Sequence, residues 1–146
     1  MYLVDTNVLS ALSPSARAAH RELGDWIEAN ADMIYLSCVT ASEIVAGIVK
    51  AERIGASTKQ RGLRDWWAGI QELYGGRILP LDLEVAMIAG EMIDLARAHD
   101  PGYEDIAIAA TARVHDLTVL TCNERHFAVL QVPFLNPFDS LPGGVR

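Results

Sequence analysis

Glu104-Asp105-Ile106-Ala107-Ile108-Ala109-Ala110-Thr111-Ala112-Arg113-Val114-His115 runs, after Asp116, into Leu117-Thr118-Val119-Leu120. The first stretch is alanine and isoleucine on nearly every side of a helix. It has almost no polar face for water, so it belongs in the interior. The second stretch is short and β-rich, and reads as a strand. A central buried helix beside a short apolar strand points to an α/β fold, and the rest of the chain repeats the alternation.

Upstream of this stretch, Tyr2 to Val4 reads as the first strand, and Thr6-Asn7 can cap a short helix through Val8, Leu9 and Leu12. Ser13-Pro14 has the form of a helix start, with Ala16, Ala19, His20, Leu23, Trp26 and Ile27 on one face behind it. Met33 to Leu36 is the second strand. A helix from Ala41 to Ile54 follows and ends at Gly55, and Ser57 or Thr58 caps the next. That next helix has the clearest period: Leu63, Trp66, Trp67, Ile70, Leu73 and Tyr74, stopped by Gly75-Gly76. Trp66 and Trp67 are adjacent, so one face cannot bury both fully. Arg77 to Leu81 is the third strand, and Asp82 caps a helix striped with Val85, Ile88, Ala89, Met92, Leu95 and Ala96. Asp100-Pro101-Gly102 is a turn.

Downstream, Thr121 starts a short helical turn and Val132 to Leu135 adds an edge strand. Asn136 onward, with Pro137, Pro142 and Gly143-Gly144, is expected to be a loosely held tail. The expected architecture is a mostly parallel sheet of four to five strands.

The chain has 146 residues, the size of one domain, so residues 1–146 are read as a single unit. No apolar run approaches the ~20 residues that span a bilayer. Tyr2-Leu3-Val4 meets Asp5-Thr6-Asn7 without a basic start or a long apolar segment, so no secretory signal is read and a cytoplasmic location is expected. The two cysteines, Cys38 and Cys122, are too few for a disulfide scaffold and are read as small packing residues. The net charge is −7. That argues against a passive nucleic-acid binder, which carries a basic surface. It leaves room for an enzyme that grips phosphate through metal ions, and it suits a basic protein partner.

Ligands of open parallel sheets sit at the carboxyl ends of the strands. Asp5 ends the first strand, Glu43 follows the second, and Thr121-Cys122-Asn123-Glu124 follows the fourth. Asp105 opens the buried helix. Each acid also has a purely structural reading. Thr40-Ala41-Ser42-Glu43 matches a capping box, as does Thr121 to Glu124. Asp5 can cap the first short helix, and Asp105 and Glu104 can complement a helix dipole. Glu124 is left to that reading. As a set, Asp5, Glu43 and Asp105 are harder to dismiss. Two carboxylates about 5 Å apart repel by roughly 3 kcal/mol at an effective dielectric of 20, so a converging trio calls for a cation or raised pKa values. Oxygen ligands favour Mg²⁺ or Mn²⁺ over zinc, and His20, His99, His115 and His126 show no zinc spacing. His126 is expected to be rotated away on the following turn, as a partly exposed surface histidine. Such a site suits phosphodiester hydrolysis by metal-activated water. No Walker-type glycine loop is present.

At these positions the sequence resembles the PIN-domain family, and within it the VapC and FitB-type ribonuclease toxins of bacterial toxin–antitoxin pairs. The resemblance is carried by four stretches in order: Leu3-Val4-Asp5-Thr6-Asn7-Val8-Leu9; Tyr35-Leu36-Ser37 through Thr40-Ala41-Ser42-Glu43-Ile44 with Gly47; Glu104 to Ala112; and Leu120-Thr121-Cys122-Asn123 with Phe127. It implies a three-layer α/β/α domain, Mg²⁺-dependent cleavage of RNA with Mn²⁺ able to substitute, a homodimer, and inhibition by a cognate antitoxin. It matches Asp5, Glu43 and Asp105 to the family's acidic site, and Thr6 and Thr121 to its supporting hydroxyls. The fourth stretch departs from the pattern. The family often has an acid at the place of Asn123 or of His126, and this chain has neither. Asn123 is therefore expected to support the site through its amide, and one metal to be held well and a second weakly.

Two alternatives stay open on the sequence. One is a PIN-like binding module that has lost turnover. The other is a phosphatase using Asp5 as nucleophile, which Asn7 disfavours because a second acid would be expected there.

Overall fold

Leu3 and Val4 are adjacent and both buried, yet they enter different cores. The same division separates Val119 from Leu120. Side chains of a strand alternate between faces, so a strand apolar on both faces is sandwiched between two layers. The computed structural model describes residues 1–55 and 57–143, with the side chains of residues 57–61 left aside.

The strands are β1 (Tyr2–Val4), β2 (Ile34–Ser37), β3 (Ile78–Leu79), β4 (Thr118–Leu120) and β5 (Phe134–Leu135). They form one sheet in the order β3-β2-β1-β4-β5, and every pairing is parallel. Helices α5 (Leu83–Leu95), α6 (Tyr103–Val114) and α7 (Glu124–Val129) pack on the face carrying Leu3 and Val119. Helices α1 (Thr6–Ser10), α2 (Arg21–Ala29), α3 (Cys38–Arg53) and α4 (Ser57–Tyr74) bury apolar residues on the face carrying Val4 and Leu120. This is the three-layer α/β/α arrangement with a fully parallel sheet. Each large aliphatic side chain buried this way stabilises the fold by ~1.5–3 kcal/mol.

α6 is the central helix the sequence predicts, with every residue from Ile106 to Ala112 buried. It stops because Asp116 adopts a left-handed backbone (φ 52°), which lets the Leu117 N–H reach back to the Ala112 carbonyl at 2.9 Å. The chain is thereby turned straight into β4. Asp82 caps α5 as expected, accepting from the Val85 N–H at 3.0 Å. Trp67 is buried and Trp66 only partly so, as their adjacency requires.

Four expectations need correction. α2 begins at Arg21, after a turn and a 3-10 segment over Arg17–His20, and Ser13-Pro14 does not start it. Ala18 and Ala19 stay exposed there, so no burial holds that stretch as an α-helix. α3 begins at Cys38, earlier than Ala41, because the Ser37 hydroxyl accepts from the Val39 N–H at 3.1 Å. α7 begins at Glu124, and Thr121 does not start it. The tail is not loose as far as Pro142: the Trp26 indole donates to the Pro142 carbonyl at 3.1 Å, Phe138 meets the His20 ring edge-on, and Leu141 packs against the core. The expected caps Ser57 and Thr58 have side chains outside the described set. Cys38 accepts from the Leu81 N–H through its sulfur, and Cys122 is exposed. Among the described residues no helix is long and apolar enough to cross a membrane.

Candidate active site

The strand order reverses direction at β1, whose neighbours β2 and β4 lead to opposite edges of the sheet. The carboxyl ends of strands at such a switch point form a crevice. Val4 pairs with Leu120, so the next residues, Asp5 and Thr121, emerge side by side at that crevice. The Thr121 hydroxyl donates to Asp5 Oδ2 at 2.7 Å.

Asp5 is buried, with 3% of its surface exposed. It accepts from the Thr6 N–H through Oδ1 and from the Asn7 amide through Oδ2, each at 2.7 Å. The first of these is also a helix cap, so the capping reading holds for one oxygen while the other faces the crevice. Burial pushes the Asp5 carboxyl up from 3.8 to about 6. The donors from Thr121 and Thr6 pull it down, and the charges of Asp105 and Glu43 add to the rise.

Glu43 lies in the second turn of α3, because the helix starts three residues earlier than the sequence suggests. It is therefore no capping residue. Its Oε2 accepts from the Thr6 hydroxyl, and the Thr6 and Thr40 hydroxyls lie 3.1 Å apart. Beside Thr6 and Glu43 opens a cleft of about 290 Å³, lined also by Ser10, Ser13, Leu63 and Trp66.

Asp105 stands in the first turn of α6. Its Oδ2 accepts from the Asn123 side-chain amide at 2.9 Å and lies 2.6 Å from His126 Nδ1. Asn123 presents its side-chain NH₂ to Asp105, whereas the expected role was for its amide oxygen. His126 is partly exposed, but its ring is not rotated away: Nδ1 lies against Asp105. α7 starts after Asn123, so its first turn swings the ring of residue 126 back over the strand end.

The structure therefore gathers Asp5, Glu43, Asp105, Thr6, Thr121 and Asn123 around one strand-end crevice. Sequence reasoning missed Asn7, Thr40 and His126. The signal for Asn7 was its place two residues after Asp5. Thr40 was visible one turn before Glu43 on the same helix. Glu124 stays outside, accepting from Asn136 at 3.0 Å.

The PIN domain family matches residues 2–132. The chain belongs to this family. It is 32% identical over 141 residues to Toxin FitB of Neisseria gonorrhoeae, covering 94% of this chain and 99% of that protein. It is 33% identical over 147 residues to Ribonuclease VapC10 of Mycobacterium tuberculosis, covering 98% of this chain and 96% of the other. The crystal structure of FitAcB from Neisseria gonorrhoeae superposes with a TM-score of 0.81 at 32% identity, covering 94% of this chain and 99% of that one.

Whether this PIN domain can hold a cation is decided by its donors. They are carboxylates and hydroxyls, the hard oxygen set that Mg²⁺ and Mn²⁺ take. Asp5 is buried and its pKa is raised by burial and by two further carboxylates, a charge imbalance that a cation relieves. Among the described residues no Lys or Arg pairs with Asp5, Glu43 or Asp105. Also among the described residues, no three His, Cys, Asp or Glu side chains close into a complete metal-binding group. Each carboxylate is turned instead to its hydrogen-bond donors: Asp5 to Thr121 and Asn7, Glu43 to Thr6, Asp105 to Asn123. The residues fit a hard cation in the kind of donor they offer.

Proposed function

We propose that this PIN domain is a Mg²⁺-dependent endoribonuclease that serves as the toxin of a toxin–antitoxin pair. The observation that carries the reading is the meeting of Asp5, Glu43 and Asp105 at the switch-point crevice of a chain whose relatives include a toxin and a ribonuclease by name. Asp5 and Asp105 would hold the cation, with Glu43 direct or through water. Mn²⁺ is expected to substitute. When bound, the cation supplies charge neutralisation at the phosphoryl group and lowers the pKa of water.

The chain's own residues do the rest. Thr121, Asn7 and the Thr6 N–H hold the Asp5 carboxylate at the strand-end crevice. Thr6 anchors Glu43 at the rim of the cleft. The exposed Ser10 hydroxyl and the partly buried Trp66, both lining the cleft, would give an RNA strand a polar contact and part of a stacking surface. The acidic surface offers little free-standing RNA affinity, so binding should depend on divalent cation. A cognate antitoxin with a basic segment would compete for the same acids.

The test is cleavage of a structured RNA by purified protein with Mg²⁺ or Mn²⁺, set beside Asp5→Asn and Asp105→Asn. Cleavage by the wild type alone supports the reading. Equal cleavage by the variants, or none by any of them with either cation, overturns it. Antitoxin binding without cleavage would favour the binding-module alternative, toward which the neutral Asn123 and His126 around Asp105 lean.

A further inference from the structure

We propose that the cleft beside Glu43 is a base subsite: it takes the nucleobase of one nucleotide adjoining the scissile phosphate, and Gly47 sets how large that base can be. The inference rests on the ribonuclease reading of the acid crevice and names a subsite for its substrate.

Two helical faces frame the cleft. Thr6 and Ser10 are four residues apart on α1, and Glu43 and Gly47 are four apart on α3. Residues at that spacing share a face, one a turn beyond the other. Thr6 and Glu43 are joined by a hydrogen bond and mark the acid end. Ser10 and Gly47 stand one turn on, about 5.4 Å along each helix, and all four line the cleft. Ile44 and Ile48, both buried, line it from the core side of α3, and the partly buried Trp66 lines it from α4.

The occupant follows from size and charge. The cleft holds about 290 Å³, at the small end of the ~300–1,000 Å³ that small-ligand sites span. That is room for a single base and too little for a partner's helix. Among the described residues lining it, the charged one is Glu43, which repels a phosphate group and admits a neutral ring. Apolar walls with an aromatic side chain, and a hydroxyl at the mouth, suit a base, which has flat apolar faces and a polar edge. A scissile phosphate brought to the acids puts its neighbouring base at the level of Ser10 and Gly47.

Gly47 has no structural need to be glycine. Inside a helix glycine costs stability relative to alanine. Its backbone is helical and not left-handed. A Cβ built there meets nothing within 4 Å beyond its own helix. What glycine preserves at this position is the width of the cleft. Gly69 and Gly90 are equally unobstructed but line other surfaces, so they serve as controls.

Nuclear magnetic resonance titration of the four ribonucleosides into the metal-free protein tests the subsite without any cleavage. The amide signals of Ser10 and Gly47 and the indole signal of Trp66 are expected to shift at millimolar nucleoside. Those of Ser10 and Trp66 should stay still in Gly47→Leu. Gly47→Ala and Gly69→Ala should both raise the thermal midpoint, which separates the helix effect from the cleft effect. In RNA cleavage with Mg²⁺ or Mn²⁺, Gly47→Val should lower cutting beside purines about tenfold relative to cutting beside pyrimidines at one flanking position, as one or two added methyl groups do in a fitted pocket. Gly69→Ala should keep the wild-type preference. Nucleosides that move no cleft signal in a protein that cleaves RNA overturn the subsite and leave the ribonuclease reading standing. An unchanged base preference in Gly47→Val overturns it as well. Cleft signals that answer to an arginine-rich peptide and to no nucleoside assign the cleft to a protein partner and overturn it. Nucleoside shifts in a protein that cleaves no RNA support the base site and overturn the ribonuclease reading instead.

Discussion

Asp5 holds two positions at once, as the cap of α1 and as the most buried of the three acids. Its carboxyl titrates near 6 in the folded chain because burial disfavours the charge, against 3.8 in the unfolded chain. Between those values the folded state holds a proton that the unfolded state has released. Stability of the metal-free protein should therefore fall as pH rises from about 4 through 6, and level off above. The full change is about 3 kcal/mol at ~1.4 kcal/mol per pKa unit. Urea midpoints from pH 4 to 8 should show this decline in the wild type and a much flatter profile in Asp5→Asn. Equal slopes would show that Asp5 is not the group responsible. Thr121→Val acts on the same carboxylate from outside. It removes a fully buried hydroxyl that donates to Asp5 and accepts from the Asn123 N–H at 2.9 Å. A loss of about 1–3 kcal/mol is expected, as for a buried polar group left unpaired. An unchanged urea midpoint would mean that water takes over both bonds. At this scale the sequence showed residue types well and directions poorly. Asp5 was readable from its place at a strand end, and Thr6 and Thr121 through the family resemblance. The contact of His126 with Asp105 was not, because the ring's orientation depends on where α7 begins.

At the scale of elements, the position of Glu43 turns on the start of α3. From sequence, Thr40 to Glu43 matches a capping box, a motif that would satisfy backbone N–H groups and nothing more. In the fold β2 runs on to Ser37, which pairs with Leu79 and caps the helix, leaving Glu43 free to meet Thr6. The two roles separate by mutation. Ser37→Ala should cost about 1 kcal/mol of stability, the usual value of a lost cap, without moving Asp5 or Glu43. Glu43→Gln should leave the denaturation midpoint nearly unchanged and reduce RNA cleavage by tenfold or more. The reverse pattern would restore the capping box. α6 was legible because a helix with no polar face has one place to go. α2 was misread because Ser13-Pro14 is a good local start, yet the alanines behind it find nothing to pack on. Local preference proposes a helix start, and burial decides whether the helix forms there.

For the whole molecule, charge and exposed apolar surface make opposite demands. The chain carries a net charge of −7, so two copies repel at low ionic strength. Yet α5 exposes Leu83 by 77% and Met87 by 64%, four residues apart on one face, and α3 exposes Val45 and Val49 in the same relation. Apolar side chains grouped in this way are what an interface covers. We expect the protein to form a homodimer through one or both of these faces. Salt screens the repulsion between copies but leaves apolar burial intact, so the dimer should tighten as ionic strength rises from 0.05 to about 0.5 M, where the Debye length drops well below ~10 Å. A basic antitoxin segment seated on the acidic crevice should respond in the opposite sense and bind more weakly. Sedimentation velocity across that salt range measures the first effect, and titration of the antitoxin measures the second. Met87→Glu or Val49→Glu should shift the protein to monomer, because each puts a charge into a surface that must be dried. Neither change touches Asp5, Glu43 or Asp105, so divalent-cation-dependent RNA cleavage should survive in the monomer. A wild type that sediments as a monomer at tens of micromolar in high salt would remove both faces from consideration. A dimer that both substitutions leave intact would place the contact elsewhere on the molecule.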